Sequence, residues 1–384
     1  MKLTTSYQRL WYRTGQIVIA ILLCYHSKAH PGGQPVTGGA ATRYQDRVAA
    51  DQQIAPKSSY DDAQATTDPV AENMLMFQRN NGGWSKHLDE KAVNYDKTYT
   101  PEEQAYIRGK QGLLDATIDN EATTREIKYL VKIYKKTNNQ AYLDAATRGI
   151  RYLFSAQYAN GGWPQYYPDK SGYRSQITFN DNAMINVLNV LEDIAEGKND
   201  FDIVDKTFIP KANEAIQKAI GVILATQLKV NGKLTAWCTQ YNCKTLAPEM
   251  ARKFELASIS ASESVNIVRF LMRQPKQTSE MKAAIAAAVE WFDAVKIPGH
   301  NFIDKPDAAL PKGKDRVFVE DPNSTIWARF YEIETNKPIF SGRDSQKKFS
   351  VAEIEYERRV GYAWYGTWPA KLLDKEYPAW KARN

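Results

Sequence analysis

The sequence predicts a mainly α-helical fold, an incomplete α/α toroid of three helical-pair repeats, with a smaller irregular domain that contains short β segments. Two observations support this prediction. Amphipathic helical segments recur along most of the chain, and each pair is separated by the same kind of turn. From about residue 297 onward the chain is rich in Pro, Gly and Asp and loses this repeat.

The first recurring motif is an apolar helical segment that ends in Gln and leads through an Asn-Gly turn to a Trp. Its copies lie at 74–84, 152–163 and 223–237. Gly after Asn supplies the positive φ that a tight turn needs. We therefore interpret Trp84, Trp163 and the Asn-Gly-Gly turns as structural.

A second motif follows each turn and begins the next helix, at 119–123, 180–184 and 260–264. Apolar residues then recur at i, i+3, i+4 and i+7, which predicts amphipathic helices. Helix N-termini that converge at one rim bring their first residues together. We align Asp119 with Asp181, and each can cap its helix, point into a shared cleft, or do both.

The C-terminal part of the chain is expected to form short, irregular elements. Residues 316–319 predict a strand, whereas 325–331 fit either a helix or a strand. Residues 361–369 are dense in aromatic side chains. This region is the predicted irregular domain.

The composition is typical of a globular protein, and the net charge favours the binding of anionic polymers. Of the 384 residues, 43% are hydrophobic and 25% are charged, and the formal net charge is +7. The basic residues form no concentrated stripe, so nucleic acid is not a predicted partner. A mild positive charge steers an anionic polymer toward the protein. Beyond the N-terminus no apolar run is long enough to span a bilayer, so we predict no membrane domain. We also predict that the protein is a monomer.

The N-terminus predicts export. Residues 1–29 combine basic residues, the short apolar run 17–25 and small residues before a cleavage site, as in a signal peptide. Residues 30–67 are polar and rich in Gly and Pro, which predicts a flexible leader. The secreted protein would then fold over residues 68–384.

Two of the three cysteines remain after the predicted signal peptide is removed. Cys238 and Cys243 fit either a local disulfide or two free thiols. A zinc site would need further ligands, and the chain holds four His.

Acidic and basic side chains supply the candidate functional residues. Asp119 and Asp181 offer hard oxygen donors, which suit Ca²⁺ in an exported protein with few His. Arg252, Arg329 and Arg343 can bind carboxylates, because a guanidinium group matches a carboxylate bidentately. Each arginine also fits a structural ion pair.

Taken in order, these motifs resemble the polysaccharide lyase family 10 pectate lyases. The motifs are NGGW at 81–84, TIDN at 117–120, NGGWPQYYP at 160–168, ITFND at 177–181, WC at 237–238, LAP at 246–248, SES at 262–264, WARFYE at 327–332, GRD at 342–344 and WYGTWP at 364–369. The resemblance covers roughly residues 68–384, and so many motifs in one order make it specific.

The resemblance implies a pectate lyase that cleaves α-1,4-polygalacturonate by Ca²⁺-assisted anti β-elimination, leaving 4,5-unsaturated oligogalacturonates. By role, the residues it assigns are Arg252 and Asp119 for catalysis, Asp181, Asp119 and Asn120 for the metal, and Arg329, Arg343, Lys110 and Asn182 for substrate binding. Arg252 falls on the family's proposed base. An arginine pKa lies far above neutral, so proton removal and a purely electrostatic role both stay open.

The chain departs from the family pattern at Glu121, Gln176, Tyr241, Asn242 and Ser345. These departures leave the acidic and basic candidates intact and bear on substrate preference.

Two other functions stay open from the residues alone. One is an inverting glycoside hydrolase that uses Asp119 and Asp181 as acid and base. The other is a protein that binds pectin without cleaving it.

Overall fold

The computed structural model describes residues 66–169 and 171–384. The predicted signal peptide and nearly all of the predicted leader lie outside these residues. Within the described part of the chain, no helix has the length and apolarity needed to cross a membrane.

Helices dominate this part of the chain. They are α1 (Pro69–Phe77), α2 (Pro101–Gly109), α3 (Thr124–Thr137), α4 (Gln140–Ala156), α5 (Ala183–Glu196), α6 (Phe208–Thr226), α7 (Ala261–Met272), α8 (Ser279–Ala294), α9 (Tyr356–Gly361) and α10 (Tyr377–Lys381). Within the repeat, α3 packs on α4, α5 on α6, and α7 on α8. The predicted mainly α fold class is confirmed.

The strands are short, apart from one long hairpin. They are β1 (His87–Leu88), β2 (Lys91–Ala92), β3 (Ile177–Thr178), β4 (Lys229–Val230), β5 (Lys233–Leu234), β6 (Gln240–Tyr241), β7 (Ile259–Ser260), β8 (Ile297–Pro306), β9 (Lys314–Ala328), β10 (Phe330–Tyr331), β11 (Phe340–Ser341), β12 (Lys347–Lys348) and β13 (Tyr365–Gly366). β13, β9 and β8 form a three-stranded sheet in that order, and β9 contains the strand predicted at 316–319.

Helix α3 illustrates why these segments are helical. Ile127, Leu130 and Val131 are fully buried on one face, and Asn138 ends the helix with left-handed backbone dihedral angles. Asn tolerates this conformation better than most residues. Each such apolar side chain contributes about 1.5–3 kcal/mol when it leaves water. Packing of the apolar face against α4 therefore holds the helix in place.

The same two contacts tie each turn of the repeat to the helices around it. The indole N–H of Trp84, Trp163 or Trp237 donates to a backbone carbonyl of the preceding helix at 2.7–2.8 Å. The side-chain amide of the Gln that ends each helix donates to a carbonyl in the turn and to one in the next repeat helix. These residues are Gln78, Gln157 and Gln227. The recurrence of Gln and Trp in the sequence therefore reflects a repeated structural role.

The structure shows a fourth turn with the same Trp contact, which the sequence repeat did not reveal. The indole N–H of Trp327 donates to the carbonyl of Phe292 in α8 at 2.8 Å. The backbone N–H of Ala328 then donates to the hydroxyl of Tyr331, as that of Cys238 does to Tyr241. The β8–β9 hairpin separates α8 from Trp327, so the regular spacing is lost. Of residues 325–331, all except Arg329 form strand, so the strand alternative for this segment is confirmed.

A second, smaller core lies in the C-terminal part of the chain. Its buried members include Phe302, Phe330, Phe340 and Trp364, whose rings pack against one another or against neighbouring tyrosines. This core confirms the expected β-containing, aromatic-rich portion. In the helical core, buried Cys238 and half-buried Cys243 are free thiols, so the disulfide alternative is not realised.

Gly161 is expected to be intolerant of any side chain. Its φ is +98°, and a Cβ atom there would overlap the backbone carbonyl of Lys218 in α6. We expect Gly161→Ala to lower the free energy of unfolding by roughly 3 kcal/mol or more, because strain and a backbone clash add. Gly172 is the matched control, since its φ is +53° but nothing lies near the added atom. Gly172→Ala should cost about 1 kcal/mol, and equal losses in chemical denaturation would contradict the clash.

Candidate active site

Two 3₁₀ turns, Asp119–Glu121 and Asn180–Asn182, contact each other at the start of α3 and α5. We refer to them as the two acidic turns. Asn120 and Asp181 share a left-handed backbone conformation, with φ of 48° in both. Both turns close with a bond from the following alanine N–H to the first residue's carbonyl. The structure therefore aligns Asp119 with Asn180, and the sequence alignment of Asp119 with Asp181 was wrong by one residue.

The expectation that Asp119 and Asp181 act as N-caps is also wrong. The N-cap positions of α3 and α5 are Thr123 and Asn182, and neither makes a capping bond from its side chain. Asn182 instead accepts a 2.9 Å bond from Asn266 of α7. The two carboxylates are therefore left for contacts outside their own helices.

Asp119 is a buried carboxylate, 3% exposed, that pairs with Lys86. The Lys86 ammonium also donates to the side-chain oxygen of Asn120 at 3.0 Å. The second carboxylate oxygen of Asp119 is buried without a partner among the described residues. Sequence analysis did not include Lys86 among the candidate functional residues. The signal that identifies it is position, since Lys86 follows Trp84 by two residues as Arg329 follows Trp327.

Asp181 belongs to a second charge cluster centred on Arg329. The Arg329 guanidinium lies 3.3 Å from the Asp181 carboxylate and also pairs with buried Glu263. Burial alone would lower the pKa of Arg329, but the Glu263 and Asp181 carboxylates raise it above its ordinary value. Glu263 also accepts a hydrogen bond from the Ser260 hydroxyl. Arg329 is therefore held as a fixed cation beside one acidic turn.

Sequence analysis did not assign a role to Glu263, although it is the single acid in the third copy of the second motif. Three helical units thus contribute Asp119, Asp181 and Glu263 to this region. The repeat position was the available signal. The role of Glu263 became clear only from its contact with Arg329, which lies 66 residues away in the sequence.

Arg252 lies beside this cluster and is held by Glu255. Its Nε donates to the Glu255 carboxylate at 2.7 Å, and a second guanidinium nitrogen binds the other oxygen. Burial lowers the pKa of Arg252, while the bonds and charge of Glu255 and the charges of Tyr362 and Asp181 raise it overall. The side chain keeps 44% of its surface exposed. Arg252 therefore presents a charged, partly exposed guanidinium on which the charge of Asp181 acts.

Lys110 and Arg343 are not brought into contact with the two acidic turns. The Lys110 ammonium lies 4.9 Å from the centre of the Tyr106 ring. Arg343 is exposed and pairs with Glu357 at 3.1 Å. Arg358 also pairs with Glu357, and its guanidinium lies over the Phe254 ring, as that of Arg252 does. Arg343 is thus linked to Arg252 only indirectly, at the edge of the cluster.

The donors in the acidic turns suit calcium in kind. Over residues 66–169 and 171–384, no group of three His, Cys, Asp or Glu side chains is placed to hold a metal ion. One carboxylate oxygen of Asp119 and the side-chain oxygen of Asn180 are nevertheless buried and unpaired in the two adjoining turns, close to Asp181. An all-oxygen donor set of carboxylate and amide groups fits Ca²⁺ better than a transition metal.

Comparison with known proteins places this arrangement in a family. Residues 78–373 match the family model described as pectic acid lyase. A solved structure of the family 10 polysaccharide lyase from Cellvibrio cellulosa is 35% identical, with a TM-score of 0.70, covering 80% of this chain and 91% of that one. A mutant of the Cellvibrio enzyme, in complex with trigalacturonic acid, is 34% identical, with a TM-score of 0.70, covering 80% and 92%. A search of curated proteins found no match.

The chain thus matches one enzyme family over most of its length. The matched part contains the helical repeat, the paired carboxylates and the arginines beside them. The chain belongs to the pectic acid lyase family and is a family 10 polysaccharide lyase.

Proposed function

We propose that this enzyme is a secreted pectate lyase. It cleaves α-1,4-polygalacturonate by Ca²⁺-assisted anti β-elimination and leaves 4,5-unsaturated oligogalacturonates. The main support is the pair of adjoining acidic turns, in which Asp181 contacts Arg329 and its charge also acts on Arg252. The trigalacturonic acid bound to the Cellvibrio mutant supports an oligogalacturonate as substrate.

The reaction transfers the C5 proton to a base, which is water or, if its Glu255 pair opens, Arg252. The bond between C4 and the glycosidic oxygen breaks, and that oxygen takes up a proton from water. The C5 proton lies next to a carboxylate, so its removal builds negative charge on the carboxylate oxygens. Arg252 and Arg329 are fixed donors that stabilise this charge when the substrate carboxylate lies between them. Arg343, Lys110 and Asn182 extend the proposed binding surface for the polymer.

Calcium would be held by Asp119, Asp181 and Asn120, with the substrate carboxylate as a further ligand. When bound, it supplies Lewis-acid stabilisation of that carboxylate. Lys86 and Arg329 currently neutralise the two Asp side chains.

The contacts of Arg252 favour an electrostatic role. Glu255 binds the guanidinium through two nitrogens and raises its pKa, which opposes proton release. Proton removal by Arg252 would first require the Glu255 pair to open.

A hydrolase mechanism has less support. It would need one of Asp119 and Asp181 to carry a proton as general acid. Both are paired with a cation, and the chain belongs to a lyase family.

Metal removal tests the proposed reaction directly. Incubated with polygalacturonate, the enzyme should produce a steady rise in ultraviolet absorbance from the unsaturated product ends. A chelator should reduce the rate at least about tenfold, because the developing carboxylate charge loses one of its stabilising cations. Added Ca²⁺ should restore the rate, whereas Mg²⁺ is the control because it prefers a tighter octahedral site.

Two outcomes would contradict the proposal in different ways. New reducing ends without absorbance would indicate hydrolysis. Full activity in the presence of the chelator would show that calcium takes no part in the reaction, whereas the proposed lyase activity would stand.

A further inference from the structure

Tyr362 lies between the two arginine–carboxylate pairs of the cleft. Its hydroxyl donates to the Glu255 carboxylate at 3.0 Å, the same carboxylate that holds Arg252. Its ring centre lies 4.9 Å from the guanidinium carbon of Arg329. One side chain therefore contacts both the carboxylate that holds Arg252 and the guanidinium of Arg329.

The Tyr362 ring is itself held by neighbouring aromatic rings. Ring centres of Trp364, Phe254 and Phe330 lie 4.9, 5.4 and 6.2 Å away. Trp364 and Phe330 belong to the buried second core, so the ring is braced against a rigid wall. Because its neighbours restrict its movement, the Tyr362 ring can in turn hold the groups it contacts in fixed positions.

Burial raises the pKa of Tyr362 well above its ordinary value, although Arg329 acts in the opposite direction. The hydroxyl therefore keeps its proton over the neutral and mildly alkaline range. It acts as a hydrogen-bond donor to Glu255 throughout that range.

We propose that Tyr362 is a positioning residue that couples Arg252 to Arg329, its hydroxyl fixing Glu255 and its ring supporting the Arg329 guanidinium. This inference rests on the proposed lyase function, because that function makes the two arginines converge on one carboxylate. A guanidinium on an aromatic face gains cation–π attraction, most strongly where water is excluded. Hydrogen bonds to charged groups are stronger than neutral ones.

Two substitutions separate the hydroxyl from the ring. Tyr362→Phe removes only the bond to Glu255, so kcat should fall about tenfold while KM changes less than about twofold. Tyr362→Leu also removes the ring from Arg329. It should show the same fall in kcat and a rise in KM of about fivefold.

A double-variant cycle separates positioning from a general structural role. Tyr362→Phe and Glu255→Gln act through one carboxylate, so the double variant should be no slower than Glu255→Gln alone. Tyr356→Phe is the matched control, because its hydroxyl bonds backbone atoms of Lys312 and Lys314 in the same C-terminal region. That control should keep wild-type kcat and KM.

The possible outcomes separate the role of Tyr362 from the proposed lyase activity. An active wild type with wild-type kinetics in Tyr362→Phe would overturn the coupling and leave the lyase intact. Full additivity in the double variant would overturn it as well. A wild type that produces no unsaturated ends would overturn both.

Discussion

Replacing Arg252 with alanine is expected to lower kcat on polygalacturonate by about 10²- to 10³-fold, the range typical of removing one donor that stabilises developing charge. The substitution removes a cation on which the charge of Asp181 acts, and it leaves the buried Glu255 carboxylate without its bidentate partner. The measurement is initial rate from ultraviolet absorbance at saturating substrate.

Arg252→Lys refines the expected result. Lysine keeps the charge but cannot bind both oxygens of Glu255, so we expect kcat between those of the alanine variant and wild type. Because the pKa of Arg252 is raised, the wild-type rate should show no ionisation of Arg252 at neutral or mildly alkaline pH. A purely electrostatic Arg252 would therefore give a lysine variant with the wild-type pH profile.

Arg273→Ala is the matched control for these variants. Arg273 also binds a carboxylate, that of Glu192, but does so on the helical surface away from the acidic turns. It should retain wild-type kcat. Near-wild-type activity in Arg252→Ala would remove Arg252 from the mechanism.

Asp119→Asn is expected to lower kcat by about 10²-fold with little change in shape. The carboxylate is buried and neutralises Lys86, and its second oxygen is buried and unpaired, available as a metal ligand. An amide keeps the volume but loses the charge that both Lys86 and a calcium ion require. The variant should also need a far higher Ca²⁺ concentration to reach half of its maximal activity, and a calcium titration measures this concentration.

Asp202→Asn is the control for Asp119→Asn. Asp202 pairs with Lys135 on the exposed surface, where solvent screens the pair and its contribution to stability is small. It should leave kcat and the calcium requirement unchanged. If Asp119→Asn also left both unchanged, Asp119 would be neither a metal ligand nor a catalytic residue.

Much of the fold could be predicted because its determinants are local and repeated. Apolar residues at helical spacing indicated α3, α5 and α7, and the Gln and Trp positions indicated the turns between them. The fourth turn was missed because the β8–β9 hairpin is inserted before Trp327. A local pattern cannot reveal a repeat whose spacing an insertion has changed.

The sequence by itself determined the helical repeat and the residue types at the rim, and the motif resemblance indicated the family. Only the tertiary structure decided which charges meet: Lys86 with Asp119, Glu255 with Arg252, and Arg329 with Glu263 and Asp181. Arg329 and Asp181 are 148 residues apart in the chain. The reason is physical, because periodicity encodes which face of a helix is buried, whereas an ion pair depends on the packing of separate elements.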